Sequence, residues 1–305
     1  MTVLASSYTG PPELTVTSAL TSWTLDPGGL VLLLVLAVPY VLALRRVRGT
    51  GARWPAGRTL AYGAALLGVV VATMSFLGVY AHVLFWVTSV QMALLLTVVP
   101  VLLSLGAPVT AVRTASPAAG ERADRLLRAR PVRFLTFPLV AAVVLAVVPL
   151  LVWFTPVQEA SMRSWWVFWF LHVAFVVVGL AFFWPVLAVD ADPRLPYAAL
   201  AAVVFVETLV DSIPGIVRWL SNDIIAPAYY LTIGRPWGRA PLDDQKFGGV
   251  MLWAIGEVVG LPLLLLVVVQ WMRADAREAA RIDAELDRAE AEQARPHPAD
   301  EPPDA

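Results

Sequence analysis

The chain predicts an all-α, polytopic membrane protein with seven transmembrane helices, its N-terminus outside and its C-terminus cytoplasmic. Three observations carry that expectation. Hydrophobic residues fill 59% of 305 positions and charged residues only 15%, a balance that needs lipid as the main solvent. Seven apolar runs are each long enough to cross as a helix. The basic residues fall unevenly on the connections between those runs.

Taken in order, the runs cover residues 28–44, 60–80, 83–105, 134–153, 164–188, 196–213 and 248–271. Asp26 followed by Pro27 suits an N-cap and first helical residue, so the first span is expected to start there. No basic stretch precedes it, which is unlike a conventional cleaved signal peptide. Arg45, Arg46, Arg48, Arg53 and Arg58 follow the first span, and Arg113, Arg122, Arg125, Arg128, Arg130 and Arg133 follow the third. With Arg194 and the tail residues Arg273, Arg277, Arg281, Arg288 and Arg295, one side holds seventeen of the 22 basic residues. Only Arg163, Arg218, Arg235, Arg239 and Lys246 fall on the other. The rule that cytoplasmic loops are positive puts the arginine-rich side inside the cell.

The expected division is therefore an extracytoplasmic segment at residues 1–27, a membrane domain at 28–272 and a cytoplasmic part at 273–305. Within the last, Arg273–Ala294 is rich in Ala, Glu and Arg and suits a solvated helix, while Arg295–Ala305 is Pro-rich, acidic and expected to be disordered. A net charge of −1 with basic residues scattered over loops gives no face for nucleic acid. Without cysteine there is no disulfide, no redox pair and no thiolate metal site. Gly-rich phosphate loops, GxSxG and HExxH are absent, so no enzyme chemistry is expected. Lys246 lies at the edge of the last span rather than in its middle, which disfavours a retinal photosensor.

Polar residues inside apolar spans are costly and so are candidates for function. His82 ends up near the outer end of the third span, and His172 sits about 12 Å into the fifth. Glu207 and Asp211 are spaced i, i+4 on one face of the sixth, and Glu257 lies about 15 Å into the seventh. Each has a plain structural alternative: a histidine bonded to a neighbouring helix, the two acids paired with Arg218, or Glu257 on a close-packing Gly256/Gly260 surface. Met74, Met92 and Met251 are packing filler or soft ligands. As a group, imidazole, thioether and carboxylate at one depth make a donor set that copper accepts without thiolate. Asp244 and Gln245, at the start of the seventh span, suit either this outer site or a cap on their own helix.

Three motifs carry a resemblance. The first runs Tyr80-Ala81-His82-Val83-Leu84-Phe85, through Gln91-Met92-Ala93-Leu94-Leu95 and Pro100, to Leu105-Gly106-Ala107-Pro108. The second joins His172, Phe175 and Gly179 to Trp184-Pro185-Val186-Leu187, Asp190 and Asp192-Pro193. The third leads from Tyr229-Tyr230 through Trp237-Gly238, Pro241-Leu242, Asp244-Gln245, Gly248-Gly249 and Met251 to Trp253 and Glu257. In this order, over residues 70–272, they resemble the CtaG family of cytochrome c oxidase assembly proteins.

That resemblance implies a multi-pass protein of the bacterial cell membrane, surrounded by lipid, that helps heme-copper cytochrome c oxidase mature. It implies assistance with copper on the extracytoplasmic side, with oxidase subunits and an extracytoplasmic copper chaperone as partners. The candidate copper ligands are His82, His172, Met92, Asp211 and Glu257, with Glu207, Asp244, Gln245 and Trp253 around them. The chain departs from the family where a His-Met pair is common in the third helix and Thr88-Ser89 stands instead. A copper transporter, or a structural membrane subunit that binds no metal, are the alternative readings.

Overall fold

The computed structural model describes residues 8–49, 51–190 and 194–293, and their regular structure is helical throughout. The stretch expected to be disordered, Arg295–Ala305, lies outside the described residues, as do Asp192 and Pro193 of the second motif. In chain order the helices are α1 (Val16–Thr21), α2 (Pro27–Gly49), α3 (Ala56–Met74), α4 (Phe76–Tyr80), α5 (Phe85–Ala93), α6 (Val99–Leu105), α7 (Pro108–Ala115) and α8 (Pro117–Leu127). They continue as α9 (Arg130–Leu135), α10 (Pro138–Phe154), α11 (Val157–Arg163), α12 (Trp165–Leu187), α13 (Tyr197–Leu220), α14 (Pro227–Tyr230) and α15 (Pro241–Gln293). Six stretches are long and apolar enough to cross a membrane, and a seventh counts if α10 and α11, bent by 69°, form one span. α10, the first helix of the bent pair, covers the fourth of the seven expected runs, and α11 lies beyond it.

Local chemistry explains most boundaries. Asp26 caps α2 as expected, its Oδ2 accepting the Gly29 N–H at 2.7 Å, and Pro27 is the first helical residue. Ser75 breaks α3 from α4 by turning its hydroxyl back to Val71 O and accepting the Leu77 N–H at 3.2 Å. Between α5 and α6 the chain makes a π turn over Leu94–Val98. Pro100 has no N–H to give the carbonyl four residues back, so that of Leu96 is released. It lies against Gly179 of α12, where any side chain would collide with it. This close approach seats α12 on the α5–α6 helix, and it sets the azimuth of every residue on the same stripe of α12.

Two boundaries differ from expectation. Pro214 does not end the sixth span, because α13 carries it inside and runs on to Leu220, so the following connection is Ser221–Ala240 rather than one beginning at Ser212. The seventh helix starts at Pro241 and continues without a break to Gln293, about 80 Å at the α-helical rise. Residues 275–288 along it are exposed, as a solvated extension requires. Arg281 there forms surface ion pairs with Glu278 and Glu285, which are of small worth individually.

The loops sort onto two ends as their arginines predict. At the arginine-rich end, Tyr40 donates to Gly106 O at 2.9 Å and Arg194 to Arg133 O at 2.9 Å. Buried Asp190 accepts the N–H groups of Val109 and Thr110 in the first turn of α7, where a carboxylate offsets the positive end of the helix. At the opposite end, Tyr80 reaches Pro12 O, Thr24 N–H reaches Met74 O, and Arg163 reaches Ala228 O. α13 and α15 pack along a seam of small residues. A Cβ on Gly215 would meet Gly249 O at 2.6 Å, and one on Gly249 would meet Gly215 O at the same distance. The expected close-packing role of Gly256 and Gly260 holds, with Asp211 and Thr208 facing them.

Candidate functional site

α12 places His172 at its core. The residue is 3% exposed and lies two turns before Gly179, on the stripe that the Leu96 carbonyl locks against α5–α6. Its Nδ1 is 2.8 Å from Phe168 O. A carbonyl only accepts, so Nδ1 carries the proton and Nε2 keeps a free lone pair, the arrangement in which a backbone carbonyl orients a metal-ligating imidazole.

Beside His172 is a small cavity of about 20 Å³, room for one water or one ion. Met92 and Gln91 reach it from α5, Thr88 from the preceding turn, and Gln158, Ser161 and Met162 from α11. Phe168 and Phe175 of α12 line the rest of the imidazole's wall. The two glutamines are anchored through their amide nitrogens, Gln91 to Ala72 O at 2.7 Å and Gln158 to the Tyr230 hydroxyl at 3.1 Å. Their Oε1 atoms are buried with no partner in the protein, and a buried acceptor left bare costs about 1–3 kcal/mol. The hydroxyls are committed elsewhere: Thr88 to Ala81 O at 2.7 Å and Ser161 to Gln158 O at 2.7 Å.

His82 lies outside this cavity, in the turn between α4 and α5. It packs on Phe168 with centroids 4.6 Å apart, while Phe168 is 4.3 Å from His172, so one phenyl ring touches both imidazoles. Burial pushes the His82 pKa below its ordinary value, and the nearby Asp26 carboxylate pulls against that. Tyr229 holds this turn by donating to His82 O at 2.9 Å.

The acids are grouped apart from the imidazoles. Glu207, Asp211 and Glu257 are electrostatic neighbours of one another along the α13–α15 seam, and none of them lines the His172 cavity. Trp253 donates to Glu257 at 3.2 Å, one turn along the same helix. The expected alternative of pairing with Arg218 does not occur: that buried guanidinium donates to the backbone carbonyls of Ser221 and Asp223. Among the described residues, no three His, Asp or Glu side chains are grouped so as to hold a metal ion. Of the five candidate ligands, the structure brings together His172 and Met92, with His82 one ring away, and leaves Asp211 and Glu257 on the seam.

Asp244 and Gln245 do neither of the jobs expected of them. Asp244 sits in the first turn of α15 but caps α5, its Oδ2 accepting the Phe85 N–H at 2.7 Å. Gln245 makes a two-way pair with Ile225, accepting its N–H at 2.8 Å and donating to its carbonyl at 2.9 Å. Both staple the ends of α5 and α15 and the 221–240 connection into one rim. Met162 and Gln158 were not singled out from the sequence. Their i, i+4 spacing after Thr155-Pro156 is the signal that marks a short helix facing inward.

Comparison with known proteins adds a family. The chain is 30% identical over 289 residues to uncharacterized proteins of Mycobacterium bovis and Mycobacterium tuberculosis, and 29% identical to one of Mycobacterium leprae. Each alignment covers 92% of this chain but 44% of the relative, so the chain spans less than half the length of these proteins. No solved structure matches it at a significant level. The family model described as cytochrome c oxidase caa3 assembly factor matches residues 38–274, which takes in every transmembrane helix from the middle of α2 onward together with the whole His172 cavity; the chain belongs to that Caa3_CtaG family.

Proposed function

We propose that this membrane protein assists the maturation of a heme-copper cytochrome c oxidase by holding copper, as cargo, close to the extracytoplasmic face. The carrying observation is the cavity in which His172 offers a free Nε2 beside the Met92 thioether. Side of membrane follows from the charge: the arginine-rich end faces the cytoplasm, and His82, α11 and the 221–240 connection lie at the other. His82, less deeply buried and separated from His172 by one phenyl ring, is the first imidazole that cargo meets. Oxidase subunits and an extracytoplasmic copper chaperone are the partners this role requires, and the rim stapled by Asp244, Gln245 and Tyr229 is where they dock.

Transport across the membrane fits less well. Past the cavity the buried side chains of the π turn and α6 are mostly apolar, Leu95, Leu96, Val99 and Leu103, and the hydroxyls of Thr97 and Ser104 are bonded to carbonyls of their own helix. The structural-subunit reading draws support from Thr88 and Ser89, whose hydroxyls are spent on Ala81 O and Phe85 O. Gene deletion separates these. The assembly role predicts loss of oxidase activity and less copper per heme in the membranes; unchanged activity and copper content would sink it.

A further inference from the structure

We infer that Met162, on the half-helix α11, joins Met92 and His172 in a three-donor site that takes a monovalent soft cation of the copper(I) class and rejects divalent ions. The inference rests on the proposal that copper is the cargo, and it adds the ligand set and the selectivity. The lone pairs left uncommitted around the cavity are the His172 Nε2, two thioethers and the amide oxygens of Gln91 and Gln158. Every hydroxyl there with an assigned partner donates away from the space. Two bare amide oxygens and the Nε2 lone pair make the lining rich in acceptors, which favours a cation over an anion. A donor set with neither carboxylate nor thiolate leaves a divalent ion's desolvation uncompensated, whereas thioether and imidazole together suit copper(I). The volume, about 20 Å³, admits one ion without its hydration shell.

α11 is the piece that completes the site. It is bent by 69° from α10 at Thr155-Pro156 and turns Gln158, Ser161 and Met162 inward. The Gln158–Tyr230 bond at 3.1 Å and the Arg163–Ala228 bond at 2.9 Å tie it to the 221–240 connection. A half-helix held from the rim, rather than by the bundle alone, gives the cargo a wall that can be released from the side where partners dock.

The test uses the full chain purified in detergent and titrated anaerobically with copper(I) against a chromophoric copper(I) chelator, with zinc(II) titrated separately. One copper(I) per chain is expected and no retained zinc(II). Met162→Leu conserves volume and fold and is expected to weaken copper(I) binding more than about tenfold. Copper X-ray absorption of the loaded wild-type chain is expected to show two sulfur neighbours, which keeps the test decisive if the Met162 variant misfolds. Unaltered affinity in Met162→Leu, an all-nitrogen and oxygen shell, or equal retention of zinc(II) overturns the inference and leaves the copper role standing. A wild-type chain that binds no copper(I), its cavity holding water only, overturns both.

Discussion

The His172 cavity and the acid seam are built from the same kind of residue, polar groups stranded in apolar helices, yet they differ in every physical respect. Around the cavity each anchor is fixed: Nδ1 on Phe168 O, Gln91 on Ala72 O, Gln158 on Tyr230. What is left over is a set of lone pairs around a space of one ion's size. On the seam, Glu207, Asp211 and Glu257 neighbour one another with no cation among the described residues in ion pair with them, and the space beside them is taken by Gly256 and Gly260 so that two helices can meet. Residue type marks a position as expensive. Only the closure of the surrounding helices decides whether the expense becomes a site.

If the seam is an assembly surface, Gly249→Leu should do the greatest damage. Its new side chain meets the backbone carbonyl of Gly215 and the stem of Arg218, neither of which can yield, so a loss of about 3 kcal/mol is expected in thermal unfolding followed by circular dichroism. If the cavity is the binding surface, His172→Ala should lower copper(I) affinity by about ten- to a hundredfold in chelator competition while helical content stays constant. Asp244→Ala probes the rim shared by both regions: the Phe85 N–H loses its cap, at a cost of about 1 kcal/mol in the same unfolding measurement.

A smaller effect comes from pH at the edge of the cavity. The folded His82 pKa lies below its ordinary 6.5, so the unfolded chain takes up the proton first. Its contribution to stability is full above about 6.5 and is lost as pH falls below that value. The slope of melting temperature against pH in that acid window should flatten in His82→Gln. The smallest effect belongs to Glu207→Gln, which should leave copper(I) affinity within about twofold of wild type if the seam is independent of the cavity; a large drop would merge the two regions.

Much of this was legible in the sequence. Apolar length found the spans, arginine counts sorted the loops onto two ends, and Asp26-Pro27 marked the start of α2. His172 and Met92 stood out because each is unusual or quotable within an apolar helix. Depth, however, says nothing about azimuth. Asp211 and Glu257 are neighbours across α13 and α15, and no count of residues from a helix end reveals that. Met162 escaped for the opposite reason. It lies outside the continuous apolar run, on a short helix that folds back after Thr155-Pro156, so a search confined to spans could not reach it. Asp244 misled because a carboxylate in a first turn usually serves its own helix, whereas here the Phe85 amide, 159 residues away, is nearer.

The π turn after Met92 has a wider consequence. Winding five residues where an α-helix would wind four rotates everything beyond it, so Thr88, Gln91 and Met92 stand on a different meridian from Val99 and Leu103. Drift in one half of this rod need not be copied by the other. The bulge works as a splice between two halves of one rod: the half before it faces the cavity, while the half after it packs the bundle.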